Sequence, residues 1–324
     1  MAVGGIEARW KDVPDYILGI TREIWEDRRI HTLKRHYATD IVVRSPASVV
    51  VGNAGVIAAT MATLAEFPDR QLLGEEVIWH DDPVHGALSS HRLLSTATHR
   101  LGGIYGEANG TPLRYRILAD CAIRDGTIVD EWLVRDQGAI VRQLGLDPKA
   151  YAAQVIEREG GPERCVRPLV PDTDVVGPYR GRGNDVQAGR TYAELLERIM
   201  RAEMSTVPET YDRACRLELP GGVTAHGIEA ADEFWMSLRA SFPSATFRIE
   251  HAMGMEERHA PRRAAVRWSL HGRHDGFGSF GPPTGAEIYV LGIGHVEFGP
   301  RGLRREWVLI DETAVWKQIL MQTG

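Results

Sequence analysis

Apolar residues at helical spacing open each half of the chain. Residues three and four positions apart lie on one face of a helix, so such a set predicts an amphipathic helix with one buried face. The first half has Tyr16, Ile17, Ile20, Ile24 and Trp25, and the second half has Tyr192, Leu195, Leu196, Ile199 and Met200. The pattern therefore predicts equivalent helices at the start of two similar units.

A second, shorter helix is predicted in each half, followed by strands. It follows Gly52 or Gly227 and ends at a Phe-Pro pair, because the residue before a proline disfavours helical backbone. Apolar stretches then predict strands over 71–80, 88–100, 112–123 and 127–136, and over 246–256, 262–274, 286–298 and 302–311. Turn residues at Asp125-Gly126 and Arg301-Gly302 predict a hairpin between the last two strands of each set.

One shift of 175 residues relates the two halves and carries Phe67-Pro68 onto Phe242-Pro243. The same gapless shift pairs many further identical residues. They are Gly52 with Gly227, Arg92 with Arg267, His99 with His274, Gly103 with Gly278, Gly106 with Gly281, Glu131-Trp132 with Glu306-Trp307, Asp136 with Asp311, and Gln143 with Gln318. Because Trp and His are rare, chance is a poor explanation, and a period this long indicates a duplicated domain.

We predict two domains, 1–157 and 191–324, joined by a linker at 158–190. The linker is rich in Gly, Pro and Arg and has no sustained apolar period. Whether it wraps one domain or covers the mouth of a pocket is open at this point. Helices followed by strands predict the α+β class, with two cone-shaped domains, each a strongly curved antiparallel sheet wrapped by N-terminal helices. Such a cone leaves a deep, mostly apolar cavity for a small ligand.

The composition is that of a globular protein. Of the 324 residues, 43% are hydrophobic and 25% are charged, and the net charge of −6 predicts no general affinity for nucleic acid or anionic membranes. The three cysteines are too few and too scattered for a disulfide framework or a zinc knuckle, and no stretch has the apolar length that spans a bilayer. We therefore expect a cytoplasmic protein.

The second copy carries the motif pattern of a known family. Its residues 271–290 (HGRHDGFGSFGPPTGAEIYV) and 302–320 (GLRREWVLIDETAVWKQIL) contain His-x-Gly, Pro-Pro-Thr-Gly, Glu-Trp and an Asp four residues after the Trp. This pattern resembles the SnoaL-like polyketide cyclases, also called ester cyclases, of the nuclear-transport-factor-2-like (NTF2-like) superfamily. The first copy keeps the His, Glu-Trp and Asp, but has Asn109-Gly110-Thr111-Pro112 in place of Pro-Pro-Thr-Gly.

The resemblance implies an intramolecular aldol condensation without metal or cofactor, in which an aspartate is the general acid/base. Matching by motif gives this role to Asp136 and Asp311. Alternation along a strand puts Asp311 on the face of Trp307 and Leu309, which we expect to be an apolar cavity wall where desolvation raises a carboxyl pKa. The other interpretation, equally open here, is that each aspartate caps the helix that follows it.

His99 and His274 form the second candidate pair. A histidine in the pocket can orient the acid or bind an enolate oxygen, but a histidine at a strand end can equally be bonded to the backbone. The candidate substrate-binding residues are the aromatic Trp132, Trp268, Phe277, Tyr289 and Trp307. No metal site is predicted, because the cluster His80, Asp81, Asp82 and His85 has no counterpart in the second copy and contains a turn-like Asp-Asp-Pro.

The leading hypothesis is a cofactor-independent cyclase, or a related lyase or isomerase of polyketide metabolism, acting on a small hydrophobic carbonyl compound. The alternatives are a non-catalytic ligand-binding protein and a hydrolase or dehydratase of a small ester. Because domains of this fold commonly pair through the exposed sheet face, we expect the two copies to pack with pseudo-twofold symmetry, as a dimer within one chain. Whether the chain also forms a homodimer is open.

Overall fold

The computed structural model describes residues 5–324, so the first four residues of the predicted first domain lie outside the described part. The first half contains α1 (Val13–Trp25), α2 (Leu33–His36), β1 (Tyr37–Ser45), β2 (Ser48–Val51), α3 (Asn53–Glu66), β3 (Gln71–Asp82), β4 (Gly86–Thr98), β5 (Pro112–Arg124), β6 (Thr127–Arg135), α4 (Gln137–Gln143) and α5 (Pro148–Arg158). The second half contains α6 (Gln187–Met200), α7 (Thr206–Thr210), β7 (Tyr211–Leu219), β8 (Val223–His226), α8 (Ile228–Ser241), β9 (Thr246–Met255), β10 (Arg262–Arg273), β11 (Glu287–Gly299), β12 (Gly302–Leu309) and α9 (Glu312–Thr323). Within residues 5–324 no helix is long and apolar enough to cross a membrane.

Each half builds one six-stranded sheet, in the orders β2-β1-β6-β5-β4-β3 and β8-β7-β12-β11-β10-β9. The four strands predicted in each half pair antiparallel with one another. The strands β1, β2, β7 and β8 were not predicted from the sequence, and β1 and β7 run parallel to β6 and β12. Each sheet is therefore mixed, not antiparallel throughout, while the predicted α+β class is confirmed.

The helices α3 and α8 begin and end at the residues that the sequence indicated. Gly52 and Gly227 precede them with φ angles of +88° and +89°, in the left-handed region that favours glycine. Phe67 and Phe242 follow their last residues, where the next proline disfavours helical backbone. The same local chemistry therefore sets the same helix in both halves.

The two sheets face each other, with β3 beside β9 and with β5 and β6 beside β11. The guanidinium of Arg92 lies over the Trp307 ring, and that of Arg267 lies over the Trp132 ring. The 175-residue shift exchanges these two contacts, as expected for a self-complementary interface. The arrangement fits the predicted dimer within one chain.

The segment between α5 and α6 packs against both sheets. Residues 159–186, all within the described range, form neither a helix nor a named strand. Asp174 accepts a hydrogen bond of 2.6 Å from Arg44 of β1, and Gly183 forms an isolated bridge with Ala252 of β9. The linker thus follows the boundary between the domains, while the boundaries at 157 and 191 stay a prediction.

Candidate functional site

The first domain holds a cavity of about 210 Å³ between its helices and its sheet, which we call the inner cavity. Its apolar lining includes Trp25, Leu72, Leu93, Ile117 and Leu133. Its polar lining includes Tyr37, Thr60, Arg70, His91, Glu131 and Arg135. An apolar enclosure with a few convergent polar groups is the usual form of a small-ligand site.

Alternation along β6 decides which of its residues reach the inner cavity. Glu131, Leu133 and Arg135 line it, whereas Trp132 lies on the opposite face of the strand, under Arg267 of the second domain. The sequence predicted that the Trp-x-x-x-Asp face forms the cavity wall. The structure instead places that face at the domain interface, because the exposed face of one sheet is covered by the other sheet.

Two titratable groups of the inner cavity have strongly shifted pKa values. Burial raises the pKa of Glu131 to about 7, while a hydrogen bond with Tyr37 acts in the opposite direction. Burial lowers the pKa of His91 to about 4, and its Nδ1 has no hydrogen-bond partner in the described chain. Near neutral pH the cavity therefore offers a carboxyl that readily gains and loses a proton, and a neutral imidazole.

A larger cavity of about 690 Å³, which we call the vestibule, adjoins the inner cavity. Ser45, Ser48, Leu133 and Arg135 line both cavities, so the two cavities share one wall. Most walls of the vestibule are small or aliphatic: Ala62, Ala65, Ile104, Ala152, Val155 and Val166. The vestibule therefore suits the apolar body of a ligand whose polar end reaches the wall that the two cavities share.

One wall of the vestibule comes from the second domain and includes Asp311. Burial raises the pKa of Asp311 to about 6. Its Oδ1 accepts hydrogen bonds from the amides of Thr313 and Ala314 at 2.9 and 3.2 Å, whereas its Oδ2 has no hydrogen-bond partner in the described chain. Asp311 thus presents one free carboxyl oxygen at the mouth of the first domain's cavity.

Two family models match the chain. The model of the SnoaL-like polyketide cyclases matches residues 16–144, and the model of the SnoaL-like domain matches residues 192–306. The chain belongs to the SnoaL-like family. It carries two SnoaL-like domains of the NTF2-like fold in tandem, and the resemblance seen in the sequence is confirmed.

Solved structures similar to the SnoaL-like chain each cover less than half of it. IdmH from Streptomyces antibioticus is 24% identical over 41% of this chain and 98% of its own, with a TM-score of 0.37. TsrD from Streptomyces laurentii is 18% identical over 41% of this chain and 94% of its own, with a TM-score of 0.36. A SnoaL-like polyketide cyclase from Agrobacterium tumefaciens is 16% identical over 42% and 99%, with a TM-score of 0.33. No curated protein matches the chain.

The second SnoaL-like domain fills the equivalent space with aromatic side chains. Trp235 stands where the first domain has Thr60, and Trp268 stands where it has Leu93. Both indoles are fully buried. A Cβ at Gly292 would lie 2.2 Å from the Trp268 ring, so the glycine provides the room that this ring occupies. The inner cavity therefore belongs to the first SnoaL-like domain, and the vestibule beside it lies between that domain and Asp311 of the second.

Asp136 is the equivalent of Asp311 but is bonded differently. Its Oδ1 accepts from the amides of Ala139 and Gly221 at 3.0 and 2.8 Å, and its Oδ2 accepts from the amide of Gly222 at 2.9 Å. Both aspartates therefore cap the helix that follows, as the second interpretation of the sequence had it. The catalytic role stays a prediction for both, and only Asp311 of the two has an oxygen without a donor in the described chain.

His99 and His274 each hold a loop. The Nδ1 of His99 lies 3.3 Å from Asn109 Oδ1, and its Nε2 lies 3.4 Å from Glu66 Oε1. The Nδ1 of His274 lies 3.1 Å from Thr284 Oγ1. Neither histidine lines the inner cavity or the vestibule. These contacts favour the local, strand-end interpretation, and a catalytic role of the pair stays a prediction.

The structure separates the five aromatic residues predicted to bind substrate. Trp132 and Tyr289 line an interdomain groove of about 270 Å³ beside the linker. Trp307 lies at the interface, Trp268 lies in the core of the second domain, and Phe277 is 72% exposed. None of the five lines the inner cavity or the vestibule.

The charged and imidazole side chains of the inner cavity, Arg70, His91, Glu131 and Arg135, were not predicted from the sequence. Glu131 belongs to the Glu-Trp pair that is identical in the two copies. Alternation puts it on the strand face opposite to Trp132, and this was the signal that could have placed it in the cavity. For Arg70 and Arg135 the signal lay in the differences between the copies. The 175-residue shift pairs them with Ala245 and Ile310, so a cation in one copy replaces an apolar residue in the other.

Proposed function

We propose that the protein is a cofactor-independent cyclase, or a related lyase or isomerase, that transfers a proton on a small, largely apolar carbonyl compound bound in the first SnoaL-like domain. Asp311 is the general base. The observation that carries the proposal is the free Oδ2 of Asp311 at the mouth of a cavity with mostly apolar walls. The matching family of SnoaL-like polyketide cyclases supports the same class of reaction.

The electrostatics of Asp311 favour the role of a base. Burial is the main cause of its raised pKa of about 6, and the hydrogen bonds from Thr313 and Ala314 limit the shift. At neutral pH such a carboxyl is largely ionised, yet it is a stronger base than an exposed aspartate. We therefore expect the rate of proton abstraction to increase as the pH rises through about 6.

The proposed ring closure balances without a further reactant. The Asp311 carboxylate takes a proton from a carbon next to a carbonyl, and the electron pair of that C–H bond forms an enolate. The enolate carbon attacks a second carbonyl of the same molecule, which forms a C–C bond and an alkoxide. Asp311 then returns the proton to the alkoxide oxygen. Protonated Glu131 can donate a hydrogen bond to a carbonyl oxygen in the inner cavity.

The test is exchange of the α-hydrogens of 2-tetralone in D₂O, followed by proton NMR. General-base catalysis contributes about 10²–10⁴-fold, so Asp311→Asn should lower protein-catalysed exchange at least about 100-fold. Asp136→Asn is the matched control and should keep the wild-type rate, because its carboxyl oxygens are occupied by amides. Asparagine caps helices about as well as aspartate, so Asp311→Asn should fold. In Asp136→Asn the side-chain NH2 would face one of the amides that now donate to Asp136, so circular dichroism checks that this control is folded.

Two results would contradict the proposal. One is an Asp311→Asn variant that exchanges as fast as the wild type. The other is binding of 2-tetralone, measured by calorimetry, without any exchange above the rate in buffer. The second result would favour the alternative of a non-catalytic ligand-binding protein, because binding requires only the cavity.

A further inference from the structure

The inner cavity contains a buried cation that has no carboxylate partner. Arg70 is 2% exposed; its Nε donates to Ser95 Oγ at 3.2 Å, and its Nη1 has no acceptor in the described chain. Its guanidinium lies 4.5 Å from the centre of the Trp25 ring and 5.9 Å from that of Tyr115. Aromatic contacts offset only part of the cost of burying a charge.

A second arginine stands in the wall that the two cavities share. Arg135 lines both the inner cavity and the vestibule, and its Nε is enclosed without an acceptor in the described chain. Burial is the largest influence on its pKa and acts to lower it, but nearby phenol groups, Tyr115 first, and the charge of Asp311, which is beyond ion-pair distance, outweigh it, so the pKa is raised. The guanidinium therefore stays charged beside the cavity.

Other buried arginines of the chain differ from this pair because each has a carboxylate within ion-pair distance. The pairs are Arg44 with Asp130, Arg92 with Glu75, Arg263 with Glu76, and Arg267 with Asp120. Burying a charge without a partner is costly, so proteins normally pair it. Arg70 and Arg135 have no carboxylate within ion-pair distance in the described chain, unlike these four buried arginines.

The acid in the same cavity does not neutralise the pair. The pKa of Glu131 is raised by burial, and the hydrogen bond with Tyr37 is the one influence that lowers it. Had a guanidinium been in contact with this carboxyl, it would hold the carboxyl ionised. The phenol of Tyr115 shows the opposite: burial acts to raise its pKa, but the charges of Arg70 and Arg135 outweigh burial and lower it.

We propose that the ligand of the first domain is an apolar carboxylic acid, whose carboxylate is bound by Arg70 and Arg135 while its apolar body lies in the vestibule. This inference rests on the proposed function and adds the charge of the substrate to it. Guanidinium groups are suited to carboxylates because several N–H donors lie in one plane. Asp311 stands on the vestibule side, where the apolar body would lie.

The test compares 2-naphthoate with methyl 2-naphthoate, its uncharged ester, by titration calorimetry on the full chain. We expect the carboxylate to bind at least tenfold more tightly than the ester. Arg135→Gln should remove this preference. Arg273→Gln, which removes an arginine exposed on the second domain, is the matched control and should keep it.

A thermal readout supports the same test. Binding to the folded state raises the melting temperature, so 2-naphthoate should stabilise the wild type and not Arg70→Met. If Arg70→Met does not fold, the comparison of acid with ester and the Arg135→Gln variant still test whether the ligand is a carboxylate. Equal binding of acid and ester, or an unchanged preference in Arg135→Gln, would overturn the inference.

The two proposals fail separately. Asp311→Asn should lose hydrogen exchange yet bind 2-naphthoate at least as tightly as the wild type, because it removes a negative charge that acts on Arg135 and leaves both arginines in place. Exchange that depends on Asp311, together with no preference for the acid, would leave the proposed function standing and end the carboxylate assignment.

Discussion

The guanidinium of Arg92 lies 3.5 Å from the centre of the Trp307 ring, across the boundary between the two domains. The equivalent residues repeat the contact in reverse, since Arg267 lies 3.7 Å from the centre of the Trp132 ring. This reciprocity is the mark of a twofold interface made by one chain with itself. The interface also brings Asp311 of the second domain to the vestibule of the first.

The two interface arginines should differ in their importance for stability. Arg267 forms a buried ion pair of 2.5 Å with Asp120, so Arg267→Met should lower the free energy of unfolding by about 3–5 kcal/mol, since it leaves a buried carboxylate unpaired. Arg92→Met should cost about 1 kcal/mol, because its partner Glu75 also bonds Arg116. Urea unfolding of both variants measures the difference. Equal losses would show that the cation–π contacts, not the ion pair, dominate.

Filling the inner cavity should abolish ligand binding without unfolding the protein. Thr60→Trp places in the first domain the side chain that Trp235 provides in the second, and Thr60 lines the inner cavity. We expect calorimetric binding of 2-naphthoate to disappear. Met61→Trp is the control, because Met61 is on the same helix but 57% exposed, and this variant should bind normally. Binding retained by Thr60→Trp would place the ligand elsewhere.

Glu306 should contribute stability that is lost as the pH rises, whereas buried histidines such as His91, whose pKa is lowered by burial, act in the opposite direction. Burial raises the pKa of Glu306 from 4.5 to about 7, although Tyr211 and Tyr192 donate hydrogen bonds to it. Between these values the folded chain keeps a proton that the unfolded chain has lost, so the free energy of unfolding decreases as the pH rises.

Glu306→Gln should therefore remove this contribution to the pH dependence of stability between pH 5 and pH 8, which amounts to up to about 3 kcal/mol. Urea unfolding at several pH values measures it. The exposed Glu287→Gln should leave the slope unchanged. A Glu306→Gln variant with the wild-type slope would show that this carboxyl titrates normally in the folded state.

The loop over the vestibule should depend on Glu66. Its two carboxyl oxygens accept hydrogen bonds from the amides of Ile104 and Tyr105, both at 3.1 Å. Glu66→Ala leaves these amides without their acceptor and should cost about 2 kcal/mol. Hydrogen exchange at the two amides should accelerate, whereas the exposed Glu107→Ala should change neither. Unchanged exchange in Glu66→Ala would show that the loop is held by other contacts.

Local patterns predicted those elements whose signal lies in neighbouring residues. The alternation of apolar and polar residues predicted the four strands after each short helix. Gly52 and Gly227 marked the starts of α3 and α8, because glycine readily adopts the left-handed backbone required there. The strands β1 and β7 were missed because each pairs with a strand far along the chain. The Trp-x-x-x-Asp face was correctly assigned to one side of β6, but alternation does not say which side of a sheet is covered by another domain.

The sequence by itself determined the duplication, the α+β class and the family, because identical residues at one fixed shift can be recognised without knowing which residues are in contact. Only the tertiary structure decided that the cavity belongs to the first domain, because Trp235 and Trp268 fill the equivalent space in the second. It also decided that Asp311 lies beside a cavity of the other domain. Such placement depends on how two sheets pack, and no local pattern records that packing.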